Sequence, residues 1–254
     1  MKTIWITGAS QGLGQSLVLA YAEQGYRVYA SARNSAALQV LGSQADHLSG
    51  EVIAIPLDIT EPQSVIAGVA KILQQQPLDR AILNAGTYIR QPIEHYNSID
   101  LEYMVKLNLV GTSHCIEALL PHLLQQGAGQ IAIVASLAGY RGLPLSSGYG
   151  ASKAGLINLA ESLRLDLSPL GIDIRLINPG FIKTPLTDIN EFTMPDIISA
   201  EKAAQIILDR LEKNTFEIRF PTRFAIIMAW LSHLPYGLYF GLIKRITDSC
   251  HESK

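Results

Sequence analysis

The stretch SGYGASKAG sets Tyr149 and Lys153 four residues apart. On a helix that spacing puts both side chains on one face. A phenol with an unperturbed pKa of about 10 exchanges protons poorly near neutrality, but an adjacent ammonium favours the phenolate and lowers that value. The pair therefore suits Tyr149 as a general acid or base, although an ordinary exposed helix pair has the same YxxxK spacing. Two further polar residues could join it. Ser136 follows a strand-like run in IVASLAG, and Asn108 lies in KLNLVG within a long helical pattern.

A second set of residues could hold a nucleotide. The run TGASQGLG places Gly8, Gly12 and Gly14, with Ser10, Gln11 and Leu13 among them, after an apolar strand and before a helix. Pyrophosphate binding needs backbone N–H groups unobstructed by Cβ atoms, and a helix N-terminus adds a favourable dipole. The second strand ends in ASARN, with no acid between Glu23 and Asp46. An acid there would accept hydrogen bonds from a ribose 2′-OH, whereas Arg33 suits a 2′-phosphate and so points to NADP(H) over NAD(H). A solvated surface arginine is the other reading, and Gln11 supplies no second cation.

The elements that must position these groups follow from periodicity. Short apolar runs at Thr3 to Thr7, Arg27 to Ser31, Val52 to Ile55, Arg80 to Leu83, Gln130 to Ala135, Asp173 to Ile177 and Phe216 to Phe220 read as seven strands. Helical patterns lie near Gly12 to Gln24, Pro62 to Gln75, Ile99 to Leu124, Tyr149 to Leu167 and Ala200 to Glu212. Apolar strands alternating with helices predict an α/β fold: a doubly wound sandwich around a parallel sheet, with ligands at the carboxyl ends of the strands.

Composition narrows the function classes. The chain has 254 residues, 48% hydrophobic and 17% charged, with a net charge of −2, which gives no basic excess for nucleic acid. Cys115 and Cys250 stand apart from any CxxC or Cys/His cluster, and His95, His114, His122 and His233 show no ligand spacing, so no metal is expected. The N-terminal MKTIWITGAS has no apolar leader pattern, and the expectation is a cytoplasmic chain. Without linkers or repeats, residues 1–254 are expected to form a single catalytic domain.

Taken in order, TGASQGLG, LNAG, Ser136, YxxxK and NPG resemble the short-chain dehydrogenase/reductase family over about residues 1 to 185. Asn108, Ser136, Tyr149 and Lys153 match its catalytic tetrad residue by residue. The resemblance implies a Rossmann-like fold with a seven-stranded parallel sheet and a C-terminal helical extension. It also implies hydride transfer between nicotinamide C4 and a carbonyl or alcohol carbon. Ser136 would hold the substrate oxygen and Tyr149 would move its proton. Lys153 would lower the Tyr149 pKa and hold the nicotinamide ribose, and Asn108 would keep a water behind it. Asp58 in PLDIT matches the family's adenine-contacting acid, while Asn84, Ala85 and Gly86 match its NAG motif, with Leu83 in place of the usual first Asn. In NPGFIKT, Pro179 and Gly180 would face the nicotinamide, and Ile182 and Thr184 would hold its carboxamide. Family members pair through the helices equivalent to those bearing Asn108 and Tyr149, which implies a homodimer or homotetramer.

The substrate side is read from LAGYRGLPLSS, from a loop at about 185–200 and from an apolar extension at about 222–246. Their leucines, isoleucines and aromatics favour a small lipophilic carbonyl or alcohol substrate over a sugar, though they could equally pack the loops. The extension RFAIIMAWLSHLPYGLYFGLIK carries no charge between Arg223 and Lys244. Pro235, Gly237 and Gly241 are expected to break it into two short helices of about two to three turns. These would serve as a lid or subunit contact, or touch a membrane interface through residues 223–245 with Arg223, Lys244 and Arg245 at the rim. Two other classes stay open: a nucleotide-binding redox sensor on the same fold, and a reductase of lipid or steroid type at a membrane interface.

Overall fold

The computed structural model describes residues 1–189 and 194–251, the side chains of 246–251 excepted. Residues 190–193 of the expected substrate loop, and the Cys250 side chain, lie outside the described residues.

The chain alternates strand and helix from its first residues. In order come β1 (Thr3–Thr7), α1 (Gly12–Glu23), β2 (Arg27–Ser31), α2 (Ser35–Ala45), β3 (Glu51–Ala54), α3 (Pro62–Leu73) and β4 (Arg80–Leu83). There follow α4 (Ser98–Val105), α5 (Gly111–Gln126), β5 (Gly129–Val134), α6 (Ser147–Leu167) and β6 (Ile172–Pro179). The last part contains β7 (Ile182–Lys183), β8 (Ile198–Ser199), α7 (Ala200–Leu211), β9 (Glu217–Phe220), α8 (Thr222–Ser232) and α9 (Tyr236–His251). Seven strands form one sheet in the order β3-β2-β1-β4-β5-β6-β9, every neighbouring pair parallel. The two-residue strands β7 and β8 pair separately. The doubly wound, seven-stranded α/β architecture expected from the sequence is the one observed.

Side chains of period two fill both faces of this sheet. Trp5, Tyr29, Leu83, Ile131, Ile133 and Leu176 point to one side, where they meet buried residues of α3, α5 and α6. Ile4, Ile6, Val28, Ile82, Ala132 and Ile177 point to the other, against α1, α2 and α7. Full burial of each large side chain here stabilises by about 1.5–3 kcal/mol. Trp5 also keeps its indole N–H satisfied by donating to Ser31 Oγ at 2.8 Å. A third apolar cluster joins α8 and α9, through Ala225, Met228, Leu231 and Tyr239, to Leu137 just beyond β5.

Four features depart from the sequence reading. Helix α2 was not among the expected helices; Asn34 caps it by accepting from Ala37 N at 3.1 Å, and Leu38, Leu41 and Ala45 bury one face. The helix expected from Ile99 to Leu124 is interrupted by a π turn at Lys106–Val110. One extra residue per turn there re-aims Asn108, and periodicity over the whole segment does not reveal such a local insertion. In the extension, Pro235 stops α8, but α9 runs 16 residues through both Gly237 and Gly241. Glycine costs a helix only about 1 kcal/mol, which the packing of Tyr239 outweighs. Strand ends also move by a residue or two, with β6 running on to Pro179.

Candidate active site

Strand order reverses direction between β1 and β4, so the loops after these strands diverge and leave a crevice at their carboxyl ends. A cleft of about 630 Å³ occupies this crevice. Every cofactor or catalytic residue expected from the sequence lines it except Asn108.

At one end the glycine turn leads into α1. Gly8 has φ +69°, a conformation that side chains with a Cβ rarely adopt. A Cβ on Gly14 would stand 2.1 Å from Gly8 O, so this turn closes only around a bare Cα. Gln11 opens the helix without a side-chain cap bond, which leaves the first α1 N–H groups directed at the cleft. Thr7 ties the turn to the neighbouring loop: its Oγ1 accepts from Asn84 N at 3.0 Å and from Ala85 N at 3.1 Å, while Asn84 Nδ2 donates to Thr7 O. Arg33 is exposed at the cleft rim beside the Asn34 cap of α2 and has no protein partner among the described residues. Asp58 is held in place by Thr60, whose N and Oγ1 donate to Oδ1 at 2.9 and 2.8 Å. This cradle has exposed backbone donors in its middle and a cation at its outer edge. It fits an extended ligand with phosphates in both places.

At the other end lie Ser136, Tyr149 and Lys153. Ser136 follows β5 and caps a single 3-10 turn, Leu137–Gly139, accepting from Ala138 N at 3.1 Å. Tyr149 and Lys153 share one face of α6, as their spacing predicts, with Lys153 Nζ 5.6 Å from the Tyr149 ring centroid. Burial pushes the Tyr149 phenol up to about 12, against a smaller downward pull from the Ser136 hydroxyl. Any lowering of this value by Lys153 is outweighed by burial. Burial drives the Lys153 ammonium down to about 8, and its Nζ donates to Val134 O at 2.9 Å. Desolvation of both groups outweighs their mutual effect.

Asn108 lies behind this pair, fully buried. Its Oδ1 accepts from Thr87 N at 2.7 Å, and its Nδ2 donates to Thr87 O at 3.0 Å and Ser152 Oγ at 2.9 Å. The side chain thus clamps the loop after β4 to α6. Thr112 Oγ1 donates to Asn108 O at 2.7 Å, taking up a carbonyl within the π turn.

Two residues near the site were not singled out from the sequence. Tyr88 is half-buried and sets its ring against Tyr149 in an edge-to-face pair, centroids 5.2 Å apart. Arg141, beyond Ser136, donates to Ser232 O at 2.8 Å and Leu234 O at 2.7 Å, and stacks its guanidinium over Tyr236 and Tyr239 at 4.6 and 4.4 Å. Nothing in the spacing marks either residue, since their partners lie far along the chain. A second cleft of about 360 Å³, lined by Ile93, Tyr96, Leu143, Pro144 and Leu145 together with Gln91, Glu94 and Ser147, opens at the start of α6. Among the described residues no group of three His, Cys, Asp or Glu side chains could hold a metal ion, and no helix is long and apolar enough to cross a membrane. His114 packs with Nδ1 3.0 Å from Ile59 O.

The sequence profile described as short chain dehydrogenase matches residues 2–193. An uncharacterized oxidoreductase of Myxococcus xanthus is 32% identical over 251 residues, covering 96% of this chain and 97% of its own. A ketoacyl reductase of Nostoc sp. is 30% identical over 226 residues, 85% of this chain and 77% of its own. A short-chain dehydrogenase from Sphingobium yanoikuyae, solved in complex with NADPH, shares the fold with a TM-score of 0.79 at 24% identity, covering 93% of this chain and 97% of that one.

Proposed function

Because the chain belongs to the short-chain dehydrogenase/reductase family of oxidoreductases, we propose that it is an NADP(H)-dependent enzyme interconverting a lipophilic carbonyl compound and its alcohol. The observation that carries this reading is the convergence of Ser136, Tyr149 and Lys153 on the cleft that the glycine turn, Arg33 and Asp58 also line. Bound NADP(H) would supply or accept the hydride at nicotinamide C4.

The nucleotide is held by the chain's own groups. The turn from Gly8 to Gly14 and the open α1 N-terminus take the pyrophosphate, with Ser10, Gln11 and Leu13 in the same turn. Arg33 clamps the 2′-phosphate and Asp58 the adenine. Asn84, Ala85 and Gly86 wall the middle of the cleft, and Pro179, Gly180, Ile182 and Thr184 face the nicotinamide end. The NADPH-bound Sphingobium relative supports the choice of cofactor.

Ser136 orients the substrate oxygen against Tyr149. A phenol raised to about 12 stays protonated at neutral pH and can donate its proton as an alkoxide forms. Lys153 stabilises the phenolate left behind and binds the ribose. Asn108 acts on the position of Thr87 and α6, and a water behind Lys153 would have to share its main-chain oxygen with the Thr112 hydroxyl. Ile93, Tyr96, Leu143, Pro144 and Leu145, which line the second cleft beside Gln91, Glu94 and Ser147, support a lipophilic substrate. Within residues 1–254, read as one catalytic unit acting in the cytoplasm, the redox-sensor alternative has no use for a tyrosine at this position.

The test is turnover with a panel of lipophilic ketones and aldehydes. NADPH should be consumed in preference to NADH, and Tyr149→Phe should lower kcat by at least about 10²-fold while NADPH binding persists. Undiminished turnover in Tyr149→Phe would sink the mechanism.

A further inference from the structure

The outer faces of α8 and α9 have no role in the cleft. On α8, Arg223, Ile226, Ile227 and Trp230 recur at helical spacing along one exposed face, while Ala225, Met228 and Leu231 turn inward. On α9, Tyr236 and Phe240 stack at 5.8 Å and Lys244 follows one turn later, all exposed. Trp230 is 58%, Tyr236 70% and Phe240 61% accessible. Arg141 binds the end of α8 and the start of α9, so the two helices present these side chains as one unit.

Charge selects among the surfaces that could cover this patch. From residue 221 onward the sequence holds Arg223, Lys244, Arg245 and Lys254 against Asp248 and Glu252, a net +2 in a chain whose net charge is −2, so the rest of the chain carries −4. A twofold contact with a second copy would press the same net-positive surface against itself. An anionic phospholipid surface offers the opposite charge, apolar depth for isoleucine and phenylalanine, and a boundary layer in which tryptophan and tyrosine rings rest. Neither helix spans a bilayer, so contact is along the surface.

We propose that α8 and α9 dock this protein onto the surface of an anionic phospholipid bilayer, with Ile226, Ile227, Trp230 and Phe240 entering the headgroup boundary. The inference stands apart from the catalytic reading, since binding is measured without turnover.

The chain's two tryptophans make the test specific. Trp5 is fully buried, so a blue shift of intrinsic fluorescence on adding vesicles reports Trp230. The full-length protein is titrated with vesicles of phosphatidylcholine, with and without phosphatidylserine, alongside sedimentation and native mass. Strong binding with a blue shift is expected for the phosphatidylserine vesicles only. It should weaken about tenfold or more in Arg223→Gln/Lys244→Gln, in Trp230→Glu/Phe240→Glu, and at raised salt. Absence of vesicle binding overturns the proposal, as does binding that neither variant weakens. A fall in native mass for Trp230→Glu/Phe240→Glu assigns the patch to a second copy and overturns it as well.

Discussion

At the residue scale, the two titrating groups of the site are moved in opposite directions by the same cause. Burial disfavours charge, so the Tyr149 phenol rises to about 12 and the Lys153 ammonium falls to about 8. Lys153 is therefore charged below about pH 8 and loses its proton above it, whereas Tyr149 keeps its proton throughout. Carbonyl reduction should hold level at acidic to neutral pH and fall as pH rises through about 8, measured as kcat/KM with NADPH. Lys153→Met should abolish that limb and leave a uniformly low rate. The types and spacing of Ser136, Tyr149 and Lys153 were fully legible in the sequence, because a helix converts a spacing of four into one face. Their pKa values were not, because desolvation depends on residues such as Tyr88 and Val134 that only the fold brings near.

At the scale of elements, the loop after β5 is fixed from two sides. Its 3-10 turn rests on α6, and Arg141 fastens it to the end of α8. Nearby, Tyr140 donates to Glu217, which also accepts from Asn178 Nδ2 at 2.7 Å, so β9 and the end of β6 belong to the same brace. Arg141→Ala removes charge-assisted hydrogen bonds and two ring contacts at once. It should cost about 2–4 kcal/mol of stability by urea unfolding, with faster hydrogen exchange concentrated in α8 and α9. Arg141→Lys should restore only part of this, because an ammonium lacks the planar fork that reaches several carbonyls while stacking on rings. The main strands were readable because buried parallel strands are continuous apolar runs. The π turn and α2 were not: the first is a one-residue insertion within an unbroken pattern, and the second buries only Leu38, Leu41 and Ala45.

At the scale of the whole molecule, the remaining exposed apolar side chains suggest where copies meet. Leu165 on α6 is 77% exposed and Leu124 on α5 is 47% exposed. Native mass should correspond to two or four copies, and Leu165→Glu should shift it downward while leaving vesicle binding intact. The order in which the polypeptide is made adds a consequence to the Arg141 contact. Synthesis completes the loop bearing Ser136 well before its clasp exists, since Ser232 follows Arg141 by 91 residues. A nascent chain halted before α8 already contains all seven strands of the sheet, yet its Ser136 loop lacks its fastening. Activity should then appear only once α8 and the start of α9 have left the ribosome and met Arg141, so that ordering of the Ser136 loop waits on a contact made long after the loop itself is synthesised.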